Sequence, residues 1–450
     1  MATRSTASSS TDPEGPGPGS GHGSDQVDLG RRSFFRHFGR SALLTAGQMA
    51  GAAGAVRRST AEAASALLEP VETVDALSAP TRSEMGITAA VPGYRSPYRL
   101  DGDALLLLDQ RELPGQLDLM ACHDGRDVAR AIRLGTVRGG ALLAQVAAYG
   151  VALTAHRHRE RAPSAVRAEL DADMASLRRT RPSARALAAA MDRMGARVAA
   201  IASDADAGML ADESRREADA IASEAMLDHA ALVKHGAEWL PRPEGRPLHL
   251  LLHGASGPMA SGMIGTALGI VQRSIADERA VHVWVTEGRP TGEGARVTTW
   301  ELEHIGVPHT VLPDAAVGWL LQDQPPDAIL LSAEWLAANG DAAVFAGGGA
   351  IAALASSHTP KTVPVLLCAP SASFDPFTPD GAAIPRDLRS GREAASLMHP
   401  GTRPGSQTIN PAVDVALAEH LSAIATAAGV VGPPFGPGLA HAMSEARATR

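Results

Sequence analysis

The sequence predicts an α/β protein: a parallel-sheet domain toward the C-terminus, a small and mostly helical α+β domain before it, and a helical extension at the N-terminus. Three patterns lead there. Past Gly245, short apolar runs recur at Leu248–Leu252, Val281–Val285, Thr310–Leu312, Ala328–Leu331 and Val363–Leu367, with Ala-rich, helix-compatible segments between them. Strands that are apolar on both faces and alternate with helices make a parallel sheet covered on both sides, a Rossmann-like arrangement. Between Asp127 and Leu232 the apolar residues follow helical spacing instead: Val128, Ala131 and Ile132, then Ala141 to Leu153, Ala184 to Ile201 and Glu213 to Leu232. A strand-like stretch, Arg99 to Gln110 with an unbroken Leu105–Leu108 run, precedes these helices.

Composition bounds the function. With 450 residues, 45% hydrophobic and 20% charged, the chain can bury more than one core and is not disordered throughout. A formal charge of −8 argues against a nucleic-acid coat, and 3% aromatics are too few for a stacking platform. Of 41 basic residues only Lys234 and Lys361 are lysines. Two cysteines, Cys122 and Cys368, exclude a disulfide scaffold and a four-cysteine zinc site. With no H-E-x-x-H or C-x-x-C pair either, no metal is expected. No apolar run reaches the ~18 residues that a membrane-spanning helix needs.

Six segments follow. Residues 1–30, rich in Ser, Thr, Gly and Pro, read as a disordered tail. Residues 31–72 read as a basic amphipathic helical segment, with Phe34, Phe35, Phe38, Ala42 and Leu44 on one stripe. That segment is expected to dock on the core, a protein partner or an anionic surface of a cytoplasmic protein. The alternative is twin-arginine export, because Arg31-Arg32 precede a weakly apolar stretch, although Arg40 interrupts it. Residues 73–97 read as a Pro-rich linker, 98–243 as the small α+β domain, 244–434 as the Rossmann-like domain, and 435–450 as a tail.

Ligands of open parallel sheets bind beyond the carboxyl ends of the strands. Here those ends lead into His253-Gly254-Ala255-Ser256-Gly257, Glu287-Gly288-Arg289-Pro290, Asp314, Glu334 and Ser371 to Asp375. Glycines, carboxylates and an arginine on one edge predict a pocket for a small polar, anionic molecule. Sharper motifs fail. Gly254-Ala255-Ser256-Gly257 is one residue short of a nucleophile elbow, and neither a dinucleotide fingerprint nor a phosphate loop is present. Gly347-Gly348-Gly349 opens a helix that can approach an anion or simply pack closely.

From about Tyr98 to Gly432 the chain resembles methylthioribose-1-phosphate isomerase. The wider superfamily includes ribose-1,5-bisphosphate isomerase and the regulatory subunits of the exchange factor for eukaryotic initiation factor two. The resemblance rests on Leu107-Leu108-Asp109-Gln110 with Leu113-Pro114, Val137-Arg138-Gly139-Gly140, Ala147-Ala148-Tyr149-Gly150 and Arg181-Pro182-Ser183-Ala184. It continues through Gly265 to Gly269, Glu287 to Pro290, Gly294-Ala295-Arg296, Trp300-Glu301-Leu302, Ala338-Asn339-Gly340-Asp341, Ala369-Pro370, Asp380-Gly381, Ile384-Pro385, Asn410-Pro411 and Asp414-Val415. It implies a site between two domains, a homodimer, a phosphorylated sugar as ligand, and aldose–ketose isomerisation without metal or organic cofactor. The candidate substrate-binding residues are Arg138, Gly139, Arg181, Glu293, Asn339, Gly347 and Gly348; of these, Glu293 puts a carboxylate where the family's amide faces phosphate, and Asn339 can instead hold its own loop.

The departures fall on the chemistry. The family's H-C-N-A-G reads His253-Gly254-Ala255-Ser256-Gly257, so the proton-carrying cysteine is Gly254. Its G-A-D-R reads Ser332-Ala333-Glu334-Trp335, with Glu334 for aspartate, and Q-G-A-R reads Glu293-Gly294-Ala295-Arg296. The N-K pair beyond Asp341 reads Val344-Phe345. Glycine transfers no proton, whereas a positioned acid or base is worth roughly 10²–10⁴ in rate. The expectation is a divergent homologue that binds a phosphorylated ribose-like metabolite, with lost or altered catalysis. The alternative is an active isomerase with Glu334 as base and His253 as acid.

Overall fold

The computed structural model describes residues 96–357, 362–391 and 407–448. The expected tail, the basic helical segment and most of the linker, all within residues 1–95, lie outside them. The strand-like stretch near the start is a hairpin: β1 (Tyr98–Asp101) pairs antiparallel with β2 (Ala104–Leu108), which pairs with β3 (Leu119–Cys122). Five helices follow: α1 (Gly125–Leu134), α2 (Gly140–Arg157), α3 (Pro163–Arg178), α4 (Arg185–Ala200) and α5 (Ala207–Trp239). The sequence reading left out α3, whose apolar residues Val166, Leu170, Met174 and Leu177 are buried on one stripe between charged neighbours. Helix α2 is buried almost all round, so its sequence lacks a polar face and it forms the axis of this domain.

The second domain holds the predicted parallel sheet. Its strands are β4 (Leu248–Leu252), β5 (Val281–Thr286), β6 (His309–Leu312), β7 (Ala328–Ala337), β9 (Val365–Cys368) and β12 (Ala423–Thr426). They lie side by side in the order β12-β9-β7-β4-β5-β6, the doubly wound order 3-2-1-4-5-6 read from the other edge. Leu250 of β4 faces Val283 on one side and Ala328 on the other. Leu250, Leu251 and Leu252 are wholly buried, and each such side chain contributes roughly 1.5–3 kcal/mol. One sheet face packs on the C-terminal half of α5 and on α7 (Ala267–Ala276). The other packs on α9 (Val317–Asp323), α10 (Gly348–Ser357) and α11 (Phe435–Ala448).

Two sequence boundaries change. Helix α5 belongs to both cores: Ala207 to Ile221 lie in the helical one, and Met226 to Leu240 lie under the sheet. The expected tail at 435–450 is largely α11, with Phe435 and Leu439 in the core. Glycines and prolines weaken the helical signal there, and burial against the sheet supplies what propensity lacks.

Strand β7 is long because it serves two partners. Its first half runs parallel to β4 and β9, and its second half pairs antiparallel with β8 (Ala342–Phe345). The register slips between Ala333 and Trp335, so Glu334 is the extra residue of a bulge. Bulges re-aim a side chain, and this one sits at the switch point where β7 leaves β4.

Candidate functional site

A cleft of about 640 Å³, including its open mouth, lies at that switch point between the two domains. The helical domain contributes Arg138 and Arg181; the sheet domain contributes His253, Glu293, Glu334 and Phe345. Local structure fixes each of them. Asp124 caps α1, and Gly135 closes it with backbone bonds back to Ala131 and Ile132. The turn that follows delivers Arg138, and its guanidinium packs over Gly135. Gly139, at φ 92°, then starts α2; a β-carbon there would meet the Ala260 carbonyl oxygen at 2.2 Å, so only glycine lets the two domains approach so closely.

The charges are already paired. Arg138 Nε lies 3.3 Å from Glu293 Oε1, which also accepts a bond from Thr291 Oγ1. Arg181 Nε donates to Asp387 Oδ2 at 2.8 Å, and Asp387 also accepts from Ser183 Oγ. Arg181 Nη2 faces Glu334 Oε2 at 4.0 Å. Arg289 and Arg389 stand elsewhere on the same cleft.

Glu334 is 18% exposed and its Oε1 accepts the Gly140 N–H at 2.9 Å, at the N-terminus of α2. Its Oε2 is buried without a hydrogen-bond partner. Burial raises its pKa above the ordinary carboxylate range, outweighing the opposing pull of Arg181 and the Gly140 N–H.

His253 is held at both nitrogens. Nε2 lies 3.0 Å from the Ala346 carbonyl, which only accepts, so Nε2 carries the proton; Nδ1 then accepts from Thr286 Oγ1 at 2.7 Å. Burial lowers the imidazole pKa, so it is held neutral. The sequence assigned His253 the role of acid. The structure corrects this: its one proton is committed to a backbone carbonyl, and the ring serves as a wall of the cleft.

The other predicted residues divide. Gly347 and Gly348 do not line the cleft: Asp414 accepts the Gly347 and Gly349 N–H groups at 3.0 Å each, so a carboxylate already fills that helix start. Gly347 and Gly348 pack against the His253 ring instead. Asn339 is also outside the cleft; it bonds Asp341 and shapes the β7–β8 turn. Trp335 points away too, donating to Thr378 Oγ1 in a small cluster with Ala343 and Ile384. Neither cysteine lines the cleft, and burial raises both thiol pKa values, that of Cys122 to about 12.

Gly254 and Phe345 define the remaining wall. Gly254 sits at φ 77°, and a β-carbon there would lie 2.8 Å from Phe345 Cβ and 2.9 Å from Cγ. The Phe345 ring is held edge-on to His253, with centroids 5.3 Å apart. Sequence reasoning missed Asp387 and Arg389, which follow the Ile384-Pro385 motif. Their only signal was charge in a stretch with no strand or helix pattern.

The Initiation factor 2 subunit family profile matches residues 136–433. The chain belongs to that family. Among its relatives, methylthioribose-1-phosphate isomerase of Chloroflexus aurantiacus is 37% identical over 74% of this chain and 94% of its own length. The enzyme of the same name from Anaeromyxobacter dehalogenans is 38% identical, over 77% of this chain and 95% of its own. The crystal structure of 5-methylthioribose 1-phosphate isomerase from Pyrococcus horikoshii OT3 superposes with a TM-score of 0.68. It is 29% identical and covers 78% of this chain and 96% of its own. The delta subunit of initiation factor eIF-2B from A. fulgidus gives a TM-score of 0.64 at 26% identity, over 78% and 99%. This initiation factor 2 family member thus shares its fold with both isomerases and subunits of translation factors.

Proposed function

We propose that the cleft binds a phosphorylated, ribose-like sugar and that isomerisation through a thiol is lost in this chain. The relatives named methylthioribose-1-phosphate isomerase support the ligand class, as do the arginines of both domains that converge on one cleft. The observation that carries the loss of thiol chemistry is Phe345, whose Cβ and ring occupy the space that a side chain at Gly254 needs. An incoming phosphate competes with Glu293 for Arg138 and with Asp387 for Arg181, and bidentate arginine geometry favours it.

A second reading is favoured by Glu334, whose Oε2 faces Arg181 but accepts no hydrogen bond and whose raised pKa suits a carboxyl base. Such a carboxyl takes the proton from one sugar carbon and returns it to the neighbouring one. A single experiment separates the two readings. Wild type and Glu334→Gln are incubated with methylthioribose-1-phosphate and with ribose-1-phosphate, turnover is followed by NMR, and binding by calorimetry. Binding without turnover is expected. Turnover abolished in Glu334→Gln would establish the isomerase reading, and absence of binding to either sugar would overturn both.

A further inference from the structure

A surface groove adjoins the cleft, and Arg389 lines both. It is bounded by the end of α1, the turn after α3 and the segment that follows Ile384-Pro385. Its lining holds four arginines, Arg133, Arg179, Arg386 and Arg389, and one carboxylate, Asp387. Asp387 is buried and bonds Arg181 and Ser183, so its charge is already balanced. Arg133, Arg179 and Arg386 are exposed and do not line the cleft.

Each of these three stands a few residues before a cleft arginine: Arg133 before Arg138, Arg179 before Arg181, and Arg386 before Arg389. The three segments that deliver cations to the cleft therefore each carry a second cation outside it. Elsewhere on the helical domain, exposed arginines face carboxylates. Arg126 pairs with Glu169, Arg157 with Asp124, Arg178 with Asp192 and Arg197 with Glu213. A cation at the end of a helix also complements its dipole, which accounts for Arg133 and Arg179 one at a time. It does not account for Arg386, which lies on no helix, nor for the groove that all three share.

The excess charge matters because of what the rest of the chain does to an anion. The formal charge is −8, and within the cleft Arg138 and Arg181 are offset by Glu293 and Asp387. A sugar phosphate approaching from solution thus meets a repelling molecule whose cleft is close to balanced. Positive charge beside the cleft counters that field and raises the association rate, an effect that falls steeply with ionic strength. We propose that Arg133, Arg179 and Arg386 steer the anionic ligand toward the cleft: they speed its arrival and make no contact with it once it is bound. The proposal rests on the sugar-phosphate reading of the cleft, and Arg389 is the link between groove and cleft.

The test measures association and dissociation rates of ribose-1-phosphate and methylthioribose-1-phosphate from ³¹P line shapes. It compares the full chain with Arg133→Gln, Arg179→Gln, Arg386→Gln and the triple variant. At about 0.01 M salt, where charges act over about 30 Å, the triple variant should associate about tenfold more slowly. Its dissociation rate should stay within about twofold of wild type, because the long-range field acts on arrival. Each single variant should lose about twofold in association, since separated charges add in free energy. At about 0.15 M salt, where the reach falls to about 8 Å, the triple variant's deficit should shrink below about twofold. Should the triple variant fail to fold, the single variants decide. Equal association rates at low salt, a deficit that salt does not relieve, or a change confined to dissociation would overturn the proposal; the last would make the arginines contact groups. If wild type binds neither sugar phosphate, the reading of the cleft fails and the steering role falls with it, whereas binding with unaltered association refutes the steering alone.

Discussion

Replacing Gly254 by cysteine should be costly, and the cost should depend on Phe345. At φ 77° any side chain pays roughly 1–2 kcal/mol for the left-handed backbone. The new β-carbon also meets Phe345 Cβ at 2.8 Å, Cγ at 2.9 Å and Cδ1 at 3.3 Å, an overpacking worth roughly 1–3 kcal/mol. The ring cannot simply yield, because the fixed His253 imidazole packs at its edge. Gly254→Cys is therefore expected to lose about 2–5 kcal/mol. Phe345→Ala removes two of the three contacts and leaves the closest; Phe345→Gly removes all three. The coupling energy with Gly254→Cys should be favourable in both double variants, about 1–2 kcal/mol, and larger for glycine. Urea unfolding followed by tryptophan fluorescence reads this cleanly. The five tryptophans, Trp239, Trp284, Trp300, Trp319 and Trp335, lie in the sheet domain or at the α5 end packed beneath it. A Gly254→Cys protein within 0.5 kcal/mol of wild type, or zero coupling with Phe345→Gly, would refute the steric argument and remove the main support for lost thiol chemistry.

Glu293→Gln should tighten sugar-phosphate binding about tenfold, ~1.4 kcal/mol, because Arg138 is released and a carboxylate next to the phosphate is removed; calorimetry with ribose-5-phosphate checks it. Arg138→Ala should abolish the upward shift in unfolding midpoint that the ligand produces, and it should also lower the unliganded midpoint, because Glu293 loses its cation. Glu301 is wholly buried, with a pKa raised from 4.5 to about 8 by burial. The stability this proton confers is complete below the ordinary carboxylate range. It is lost as pH rises toward about 8, at about 1.4 kcal/mol per pH unit. Glu301→Gln should flatten that slope in urea melts at pH 5 to 8.5, and an unchanged slope would count against a protonated Glu301. Leu439→Ala should cost roughly 2–5 kcal/mol, since α11 is part of the core and not a tail.

Much of the fold was legible in the sequence because its signals are local and strong. Leu248–Leu252 carries leucines on both faces, and its recurrence with the later runs between helix-compatible segments fits a strand with neighbours on each side and cover above and below. Residues after β4, after β5 and after the parallel half of β7 line one cleft, since a parallel sheet gathers its strand ends; Asp314, which binds the Gly288 and Arg289 N–H groups, and Ser371 to Asp375 do not line it. The site was legible in outline: Arg138, Arg181, Glu293 and Glu334 do meet in one cleft. Asn339 and the Gly347–Gly349 helix start do not line it, and only the three-dimensional partners show why. Asp341 and Asp414 had already claimed their hydrogen bonds.

By itself the sequence determined the alternation of strands and helices, the family, and the absence of a thiol at position 254. These follow from side-chain identity and period, which need no knowledge of what lies opposite. The tertiary structure decided the rest. The shared helix α5, the bulge that aims Glu334 at Gly140, the proton of His253 bound to Ala346, and the Phe345 ring over Gly254 all depend on residues far apart in the chain. Such contacts are set by packing and hydrogen-bond competition between distant parts of the chain, where no local pattern in the sequence records who meets whom.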